Sequence, residues 1–269
     1  MLKRVYLEIT NKCNLNCSFC TNDKGNDSLT ISEIDNYTTQ IKEYCNYVYL
    51  HILGEPLSHN NFEEILNILD KKDFQLQLVT NGTLLNRYPD ILKHKCLRKL
   101  SISIHSVSKQ NNEKYFKIIN NIIENNSNKY IELRFYDYIN LSKDIKEYLT
   151  CLINKYELSI TNKEKSYKLK ENVYVLFSEL FKWPNINDEI ISNVGTCHGA
   201  IDMIAINSKS EVSICCLDPY AFNKIGNLKD NSLKEILESN IYKQYINEFK
   251  NKKISSELCK RCSYRLRFK

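Results

Sequence analysis

The chain contains few of the residues that interrupt regular secondary structure, with 6 glycines and 4 prolines among 269 residues. It also lacks any apolar run near the roughly 18 residues that a membrane-spanning helix needs. Hydrophobic residues make up 42% and charged residues 26% of the chain, and these ordinary values exclude disordered and fibrous proteins. The length suits one medium-sized domain with a small appendage.

The first residues do not have the pattern of a secretion signal. Glu8 interrupts the first apolar stretch, which therefore predicts the beginning of a strand. On this basis we expect a cytoplasmic protein. In a reducing compartment, the 11 cysteines indicate metal binding or catalysis rather than disulfide bonds.

Segments with the periodicity of strands and of helices alternate through the first half of the chain. The strand segments are 5–9, 47–52, 76–79, 100–104 and 130–135, and the amphipathic segments are 30–44, 62–69, 115–123 and 145–153. Thr30 and Glu33 have the spacing of a helix-capping box. Five successive βα units predict an α/β fold with a parallel sheet, either a barrel or a doubly wound sheet.

The pattern of the second half is different. Residues 156–196 contain one predicted strand, 173–177. A predicted hairpin of 203–206 with 211–214 is followed by a helix over 233–249 and a short cysteine-bearing tail. We therefore predict a core at 1–155, the end of the core and a linker at 156–196, and a small metal-bearing module at 197–269.

Three cysteines follow the first predicted strand in a C-x3-C-x2-C loop, at Cys13, Cys17 and Cys20. Loops at the carboxyl ends of parallel strands commonly carry the chemistry of α/β folds. Three thiolates suit a cubane iron–sulfur cluster with one iron open to another ligand. The spacing also fits a zinc site with a distant fourth ligand, and from spacing alone both remain open.

This loop, with Phe19 before its third cysteine, resembles the signature of the radical S-adenosylmethionine (SAM) enzymes. Gly54-Glu55-Pro56 resembles the family's GGEP motif, which contacts the SAM amino group, although Leu53 stands where the first glycine is usual. Asn81 lies in a Thr-Asn-Gly sequence that resembles the turn after the family's third strand. The resemblance covers about residues 1–150.

The resemblance implies a partial (β/α)6 TIM barrel. It also implies that Cys13, Cys17 and Cys20 hold a [4Fe-4S] cluster to which SAM binds. Ser103 and Arg134 stand where the family often contacts the SAM ribose and carboxylate. Two simpler interpretations stay open, because Glu55 could cap the helix after Pro56 and Arg134 could be a surface residue on an edge strand.

A second set of cysteines lies in the C-terminal module, at Cys197, Cys215, Cys216, Cys259 and Cys262. The segment resembles the SPASM/twitch extensions that bind an auxiliary [4Fe-4S] cluster. In that pattern a Gly-x-Val-x-x-Cys hairpin supplies the second ligand, and here Ser210 replaces the glycine. The pattern favours Cys215 over Cys216 and implies one auxiliary cluster on Cys197, Cys215, Cys259 and Cys262. A zinc ribbon on the same four cysteines is the alternative.

The remaining cysteines, Cys45, Cys96 and Cys151, are predicted to be buried small apolar residues. His105 ends the fourth predicted strand and is a candidate catalytic residue, which could hydrogen-bond the substrate or move a proton. A packing role for His105 is equally compatible with the sequence.

Residues 243–269 hold nine Lys or Arg and two acidic residues, whereas the whole chain carries a net charge of +6. This basic tail could attract an acidic substrate such as a peptide, a phosphorylated metabolite or RNA. We favour a second interpretation, in which it offsets the negative charge of a cluster held by four thiolates. Aromatic residues are sparse in the tail, so a nucleic-acid partner is not expected.

The resemblance implies an oxidoreductase that cleaves SAM reductively, abstracts a substrate hydrogen atom and passes an electron to the auxiliary cluster. A peptide is the predicted substrate, and the alternative is a twitch-type dehydrogenase of a small sugar or aminocyclitol metabolite. One expected partner is an electron donor such as flavodoxin or ferredoxin. Because the first strand begins at once, we expect a peptide substrate either to be presented by a separate peptide-recognition protein or to dock directly. A non-catalytic zinc-binding protein is the alternative from a different class.

Overall fold

The computed structural model describes residues 2–21, 25–104, 112–136, 140–161, 166–180 and 182–268. The strands are β1 (Arg4–Leu7), β2 (Tyr47–Tyr49), β3 (Gln75–Thr80), β4 (Leu97–Ser103), β5 (Tyr130–Tyr136), β6 (Ser166–Lys170), β7 (Val173–Ser178), β8 (Met203–Ile206), β9 (Glu211–Ser213) and β10 (Lys224–Asn227). The α-helices are α1 (Ile31–Lys42), α2 (Phe62–Lys71), α3 (Asn112–Glu124), α4 (Lys143–Lys155), α5 (Leu233–Glu238), α6 (Asn240–Lys250) and α7 (Glu257–Lys260).

The chain forms two compact units. The first comprises Met1–Gln75 and Phe181–Lys269, and the second comprises Leu76–Leu180. In the first unit β1 pairs in parallel with both β2 and β8, whereas β8, β9 and β10 form an antiparallel meander. The hairpin that carries Cys215 is therefore built onto the edge of the β1–β2 pair.

The second unit also contains a mostly parallel sheet. Its strands follow the order β3, β4, β5, β7, β6, and all are parallel except β6, which runs antiparallel to β7. The register pairs Ser103 with Arg134 on adjacent strands. Residues that are paired in register on adjacent strands project to the same face of the sheet. The Ser103 and Arg134 side chains therefore lie side by side, near the carboxyl ends of their strands.

Residue alternation explains which face of β1 is buried. Val5 and Leu7 are fully buried, whereas Arg4 and Tyr6 on the other face are partly accessible. α1 begins at the predicted capping box, because the Thr30 hydroxyl accepts from the Glu33 N–H and the Glu33 carboxylate accepts from the Thr30 N–H. Such local signals were sufficient to predict these elements.

Several elements differ from the prediction. No α-helix follows β3, and residues 81–96 instead contain two single 3-10 turns. β6 and β10 were not predicted, because both contain polar residues and pair at a sheet edge. The predicted helix over 233–249 is two helices, since Ser239 has extended backbone angles and its hydroxyl caps α6 by accepting from the Tyr242 N–H.

Burial corrects one prediction for the cysteines. Cys45 and Cys96 are buried as expected, but Cys151 is exposed. The buried positions of α4 are Ile145, Tyr148, Leu149 and Leu152, and residue 151 falls on the opposite face of the helix. Within the described residues, no helix has the length and apolar character needed to cross a bilayer.

Candidate functional site

Cys13, Cys17 and Cys20 lie in the loop after β1; Cys13 and Cys17 are partly accessible and Cys20 is exposed. The Cys20 N–H donates to the Cys17 carbonyl at 3.0 Å, which closes the end of the loop into a turn. Burial raises the pKa of the Cys13 thiol to about 11, and Glu55, Cys17 and Cys20 act in the same direction. The raised pKa keeps Cys13 protonated in the absence of a ligand, and binding to a cationic iron group would stabilise the thiolate form.

The Gly54-Glu55-Pro56 segment packs directly against the start of this loop. Gly54 has φ +73°, and a Cβ at this position would stand 2.5 Å from the Thr10 carbonyl oxygen. The Glu55 N–H donates to the Lys12 carbonyl at 2.8 Å. Both the positive φ and the close backbone approach require glycine, so this residue sets the spacing between the two motifs.

Glu55 itself is buried and fulfils the capping role that the sequence left open. Its carboxylate accepts from the Leu57 N–H at 3.1 Å and caps the 3-10 turn Pro56–Ser58. Glu55 also acts electrostatically on Cys13. Capping therefore fixes the carboxylate beside the cysteine loop and is compatible with a ligand-binding role.

Glu8 is a residue of this region whose structural role sequence reasoning missed. It is 3% exposed, and its two carboxylate oxygens accept from the Leu53 N–H at 2.7 Å and from the Ser208 N–H at 2.9 Å. The Ser208 hydroxyl adds a third bond of 2.8 Å. Glu8 therefore links the residue before Gly54 to the turn between β8 and β9. The available sequence signal was an acidic residue within an apolar strand.

In the second unit, the predicted SAM contacts lie near the ends of their strands. Asn81 accepts from the Thr83 N–H at 2.9 Å, and its carbonyl accepts from the Tyr115 hydroxyl at 3.0 Å. Ser103 is buried and hydrogen-bonds the Tyr136 hydroxyl. The Arg134 guanidinium lies 5.1 Å from the centre of the Tyr136 ring.

Arg134 is not the surface residue that the alternative interpretation described. Its Nε is buried and has no hydrogen-bond partner within the described residues. A buried donor without an acceptor is costly, and a ligand carboxylate would satisfy it. This position fits the carboxylate of SAM.

Phe19, in the cysteine loop, is 37% exposed. Its neighbour Cys17 is partly accessible and Cys20 is exposed. An exposed aromatic ring in this position offers a face to a planar ligand group. The candidate catalytic residue His105 lies outside the described residues.

The four predicted auxiliary ligands come together in the C-terminal module. Cys197, Cys215, Cys259 and Cys262 line a single cavity, which we call the module pocket; its other lining residues include Asp218, Asn223, Phe249 and Arg265. Burial raises the pKa of the Cys197 thiol to about 12 and also raises the pKa values of Cys259 and Cys262. These thiols need a bound cation to be deprotonated at neutral pH.

Cys216 is not among the residues that line the module pocket. Its hydrogen bond with Cys215 lowers the pKa of Cys216 and raises that of Cys215. The Tyr6 hydroxyl also hydrogen-bonds Cys216, and the Arg4 guanidinium is close enough to act on it. The geometry therefore groups Cys215, and not Cys216, with the other three cysteines.

A buried cation accompanies the module pocket. Arg265 is 3% exposed, and it donates to the carbonyls of Cys259 at 2.7 Å, Val194 at 3.0 Å and Ser192. No ion pair joins it to an acidic side chain within the described part of the chain. A buried charge without a counter-ion is strongly unfavourable. A cluster held by four thiolates is an anion and fits this environment.

Neither cysteine set forms a site for a single metal ion within the described part of the chain. Among the residues that the structure describes, no three His, Cys, Asp or Glu side chains converge on one ion position. In a cubane each thiolate binds a different iron, so the ligands stand further apart than those around one zinc ion.

Comparison with known protein families decides the assignment of the chain. Residues 7–142 match the model of the radical SAM superfamily. The chain belongs to the radical SAM superfamily. Residues 197–263 match SPASM, an iron–sulfur cluster-binding domain. A radical SAM protein uses SAM and a [4Fe-4S] cluster. The SPASM domain binds iron–sulfur clusters in addition to that one.

Curated relatives share only part of their length with this radical SAM protein. A probable GTP 3′,8-cyclase from Methanocella arvoryzae is 32% identical over 110 residues, which are 38% of this chain and 34% of the cyclase. The chain thus spans about a third of the length of that relative.

Solved structures match over almost the whole chain. BtrN in complex with AdoMet and 2-DOIA is similar with a TM-score of 0.64 and 16% identity, covering 98% of this chain and 93% of that one. Streptococcus suis SuiB bound to precursor peptide SuiA is similar with a TM-score of 0.57 and 14% identity, covering 97% and 71%. At these identities the likeness shows the fold. The predicted fold class, a partial (β/α)6 TIM barrel with a small C-terminal iron–sulfur module, is confirmed.

Proposed function

We propose that this protein is a radical SAM oxidoreductase with one auxiliary [4Fe-4S] cluster. The observation that carries the proposal is the module pocket, in which four cysteines surround one cavity beside the buried cation of Arg265. Four protein thiolates leave no iron open to substrate, which suits a cluster to electron transfer. The domain boundaries 1–155, 156–196 and 197–269 remain part of this proposal.

In the proposed assignment each residue set has one role. Cys13, Cys17 and Cys20 hold the SAM-binding cluster, and Cys197, Cys215, Cys259 and Cys262 hold the auxiliary cluster. The segment Gly54–Pro56 binds the SAM amino group. Phe19, Asn81, Ser103 and Arg134 make the remaining contacts to SAM, with Arg134 supplying its buried donor to the carboxylate.

When bound and reduced, the SAM-binding cluster and SAM supply a 5′-deoxyadenosyl radical, and the auxiliary cluster supplies a one-electron acceptor. Overall the substrate would lose one hydrogen atom, one further electron and one proton. Cys197, Cys215, Cys259 and Cys262 would hold the group that accepts the electron, with the buried Arg265 beside it. The net change in the substrate is a two-electron oxidation. A flavodoxin- or ferredoxin-type donor supplies the electron that each SAM cleavage consumes.

A peptide is the proposed substrate. Tyr220 and Phe222 are 51% and 54% exposed, and their ring centres lie 6.3 Å apart. The Tyr220 hydroxyl donates to the carbonyl of Thr21, the residue after Cys20. Exposed aromatic rings beside a candidate site support contact with the apolar side chains of a peptide. A separate peptide-recognition protein is proposed as a further partner.

A dehydrogenase of a small sugar or aminocyclitol metabolite is the second candidate. It is favoured by the single four-cysteine pocket of the module and by the near-complete coverage of BtrN, whose structure contains 2-DOIA. To separate the two, SAM cleavage would be measured with peptides encoded by neighbouring short reading frames and with aminocyclitols. Stimulation by a peptide alone supports the first candidate, and stimulation by an aminocyclitol alone supports the second.

Cysteine variants test the assignment itself. Replacing Cys13, Cys17 and Cys20 with alanine should abolish SAM cleavage and halve the iron content. Replacing Cys259 and Cys262 should remove the other half of the iron. SAM cleavage that is not coupled to substrate oxidation should remain measurable. Cys216→Ala is the matched control for Cys215→Ala, since only Cys215 lines the module pocket. Equal iron loss in these two variants would contradict the ligand assignment.

A further inference from the structure

Asn223 lies at the module pocket, and its side-chain amide points at a predicted cluster ligand. The residue is 3% exposed and belongs to the loop that joins Cys215 to β10. Its Nδ2 donates to the Cys259 sulfur across 3.7 Å. Asn223 is neither a cysteine nor charged, and no motif in the sequence singles it out.

Two hydroxyl groups determine the orientation of this amide. The Asn223 Oδ1 accepts from the Ser256 hydroxyl and from the Tyr245 hydroxyl, the latter at 3.4 Å. The Ser256 oxygen also accepts from the Cys259 N–H at 3.1 Å, and the Ser256 hydroxyl lies close enough to the Cys259 thiol to lower its pKa. Turning the amide over would place its oxygen against the sulfur and lose both accepted bonds. The N–H group is therefore held toward Cys259.

The backbone of Asn223 is fixed as firmly as its side chain. The Asp218 carboxylate is 1% exposed and accepts from the Asn223 N–H at 2.7 Å and from the Phe222 N–H at 2.9 Å. Asp218 and Asn223 both line the module pocket. A weak N–H···S bond is thus supported by a rigid network at both ends of the residue.

We propose that Asn223 is a positioning residue that raises the reduction potential of the auxiliary cluster through its hydrogen bond to Cys259. A donor to a ligand sulfur withdraws electron density and favours the reduced, more negative cluster. The electron lost by the substrate radical then reduces the cluster more favourably, while the substrate also loses its proton to solvent. This inference rests on the proposed function of the module as an electron acceptor.

The test is a redox titration of the full-length reconstituted protein, followed by electron paramagnetic resonance of the auxiliary cluster. Asn223→Leu keeps the approximate volume without the donor, and Asn223→Asp adds a negative charge in its place. In Asn223→Leu we expect the equilibrium constant for reduction of the auxiliary cluster to fall at least tenfold, which lowers the reduction potential by about 59 mV for one electron. In Asn223→Asp the potential should fall further. Tyr245→Phe removes one bond to Oδ1 and should give a smaller shift in the same direction.

Iron content separates this inference from the proposed function. The role of Asn223 is supported if the variants keep the parent iron content and the reduction potential is lowest in Asn223→Asp, higher in Asn223→Leu and highest in the parent protein. Unchanged potentials at full iron content would overturn it and leave the proposed function intact. A parent protein without auxiliary iron would overturn both. If Asn223→Leu loses iron, the potential of the Tyr245→Phe variant decides, because no ligand neighbour is removed there.

Discussion

Ser210 combines backbone strain with a buried hydrogen bond, and the balance between them can be measured. It has φ +69°, a left-handed conformation that glycine adopts freely, and it is fully buried. Its hydroxyl accepts from the Tyr37 hydroxyl of α1 at 2.8 Å. The family pattern places glycine at this position, so the structure explains both the usual residue and what the serine adds.

The expected effect of Ser210→Gly follows from three terms. Relief of the left-handed strain stabilises the protein by about 1–2 kcal/mol. The greater freedom of glycine in the unfolded chain costs about 0.4–1 kcal/mol. Loss of the acceptor leaves the buried Tyr37 hydroxyl unsatisfied, which costs about 1–3 kcal/mol. We expect net destabilisation of about 1 kcal/mol.

The decisive comparison repeats the substitution in a Tyr37→Phe background. Without the hydroxyl on residue 37 the third term disappears, so Ser210→Gly should be neutral or stabilising by up to about 1.6 kcal/mol. Anaerobic unfolding of the four holoproteins by urea gives the double-mutant cycle. An equal effect of Ser210→Gly in both backgrounds would refute the assigned hydrogen bond, and stabilisation in the parent would show that strain dominates.

Four further substitutions test other parts of the account. Gly54→Ala should destabilise the protein by about 1–3 kcal/mol and weaken SAM binding, because its Cβ would stand 2.5 Å from the Thr10 carbonyl; normal affinity in equilibrium dialysis would contradict this. Glu8→Ala should lower the free energy of unfolding by at least about 2 kcal/mol, because it leaves the Leu53 and Ser208 N–H donors unsatisfied. A change near zero in urea unfolding would disprove the bridging role of Glu8. Cys96→Ser should cost about 1–3 kcal/mol, whereas exposed Cys151→Ser should stay within about 0.5 kcal/mol; equal costs in thermal unfolding would argue against the burial assignment.

Features with a local cause could be predicted from the sequence. The capping box at Thr30 and Glu33 involves residues three positions apart, and it appears in the structure as predicted. The cysteine loop and the Gly54 segment follow predicted strands, and their motifs occupy single short stretches of chain. Periodicity and motif spacing are sufficient wherever the interacting residues are neighbours in sequence.

Features that depend on distant residues could not be predicted in this way. Glu8 bonds Ser208, 200 positions away, so the sequence shows only an isolated acidic residue in a strand. The choice between Cys215 and Cys216 depends on which side chain faces the module pocket and which faces Tyr6. The strand β6 is stabilised by antiparallel pairing with β7 at the edge of the sheet rather than by its own apolar pattern.

The central claim is that the chain holds two [4Fe-4S] clusters and cleaves SAM. The most direct measurement is anaerobic reconstitution of the full chain, followed by iron and sulfide determination and a dithionite-driven assay for 5′-deoxyadenosine. The account predicts about eight irons per chain and formation of 5′-deoxyadenosine. About four irons would remove the auxiliary cluster and the proposed oxidation with it, and stoichiometric zinc without SAM cleavage would contradict the account as a whole.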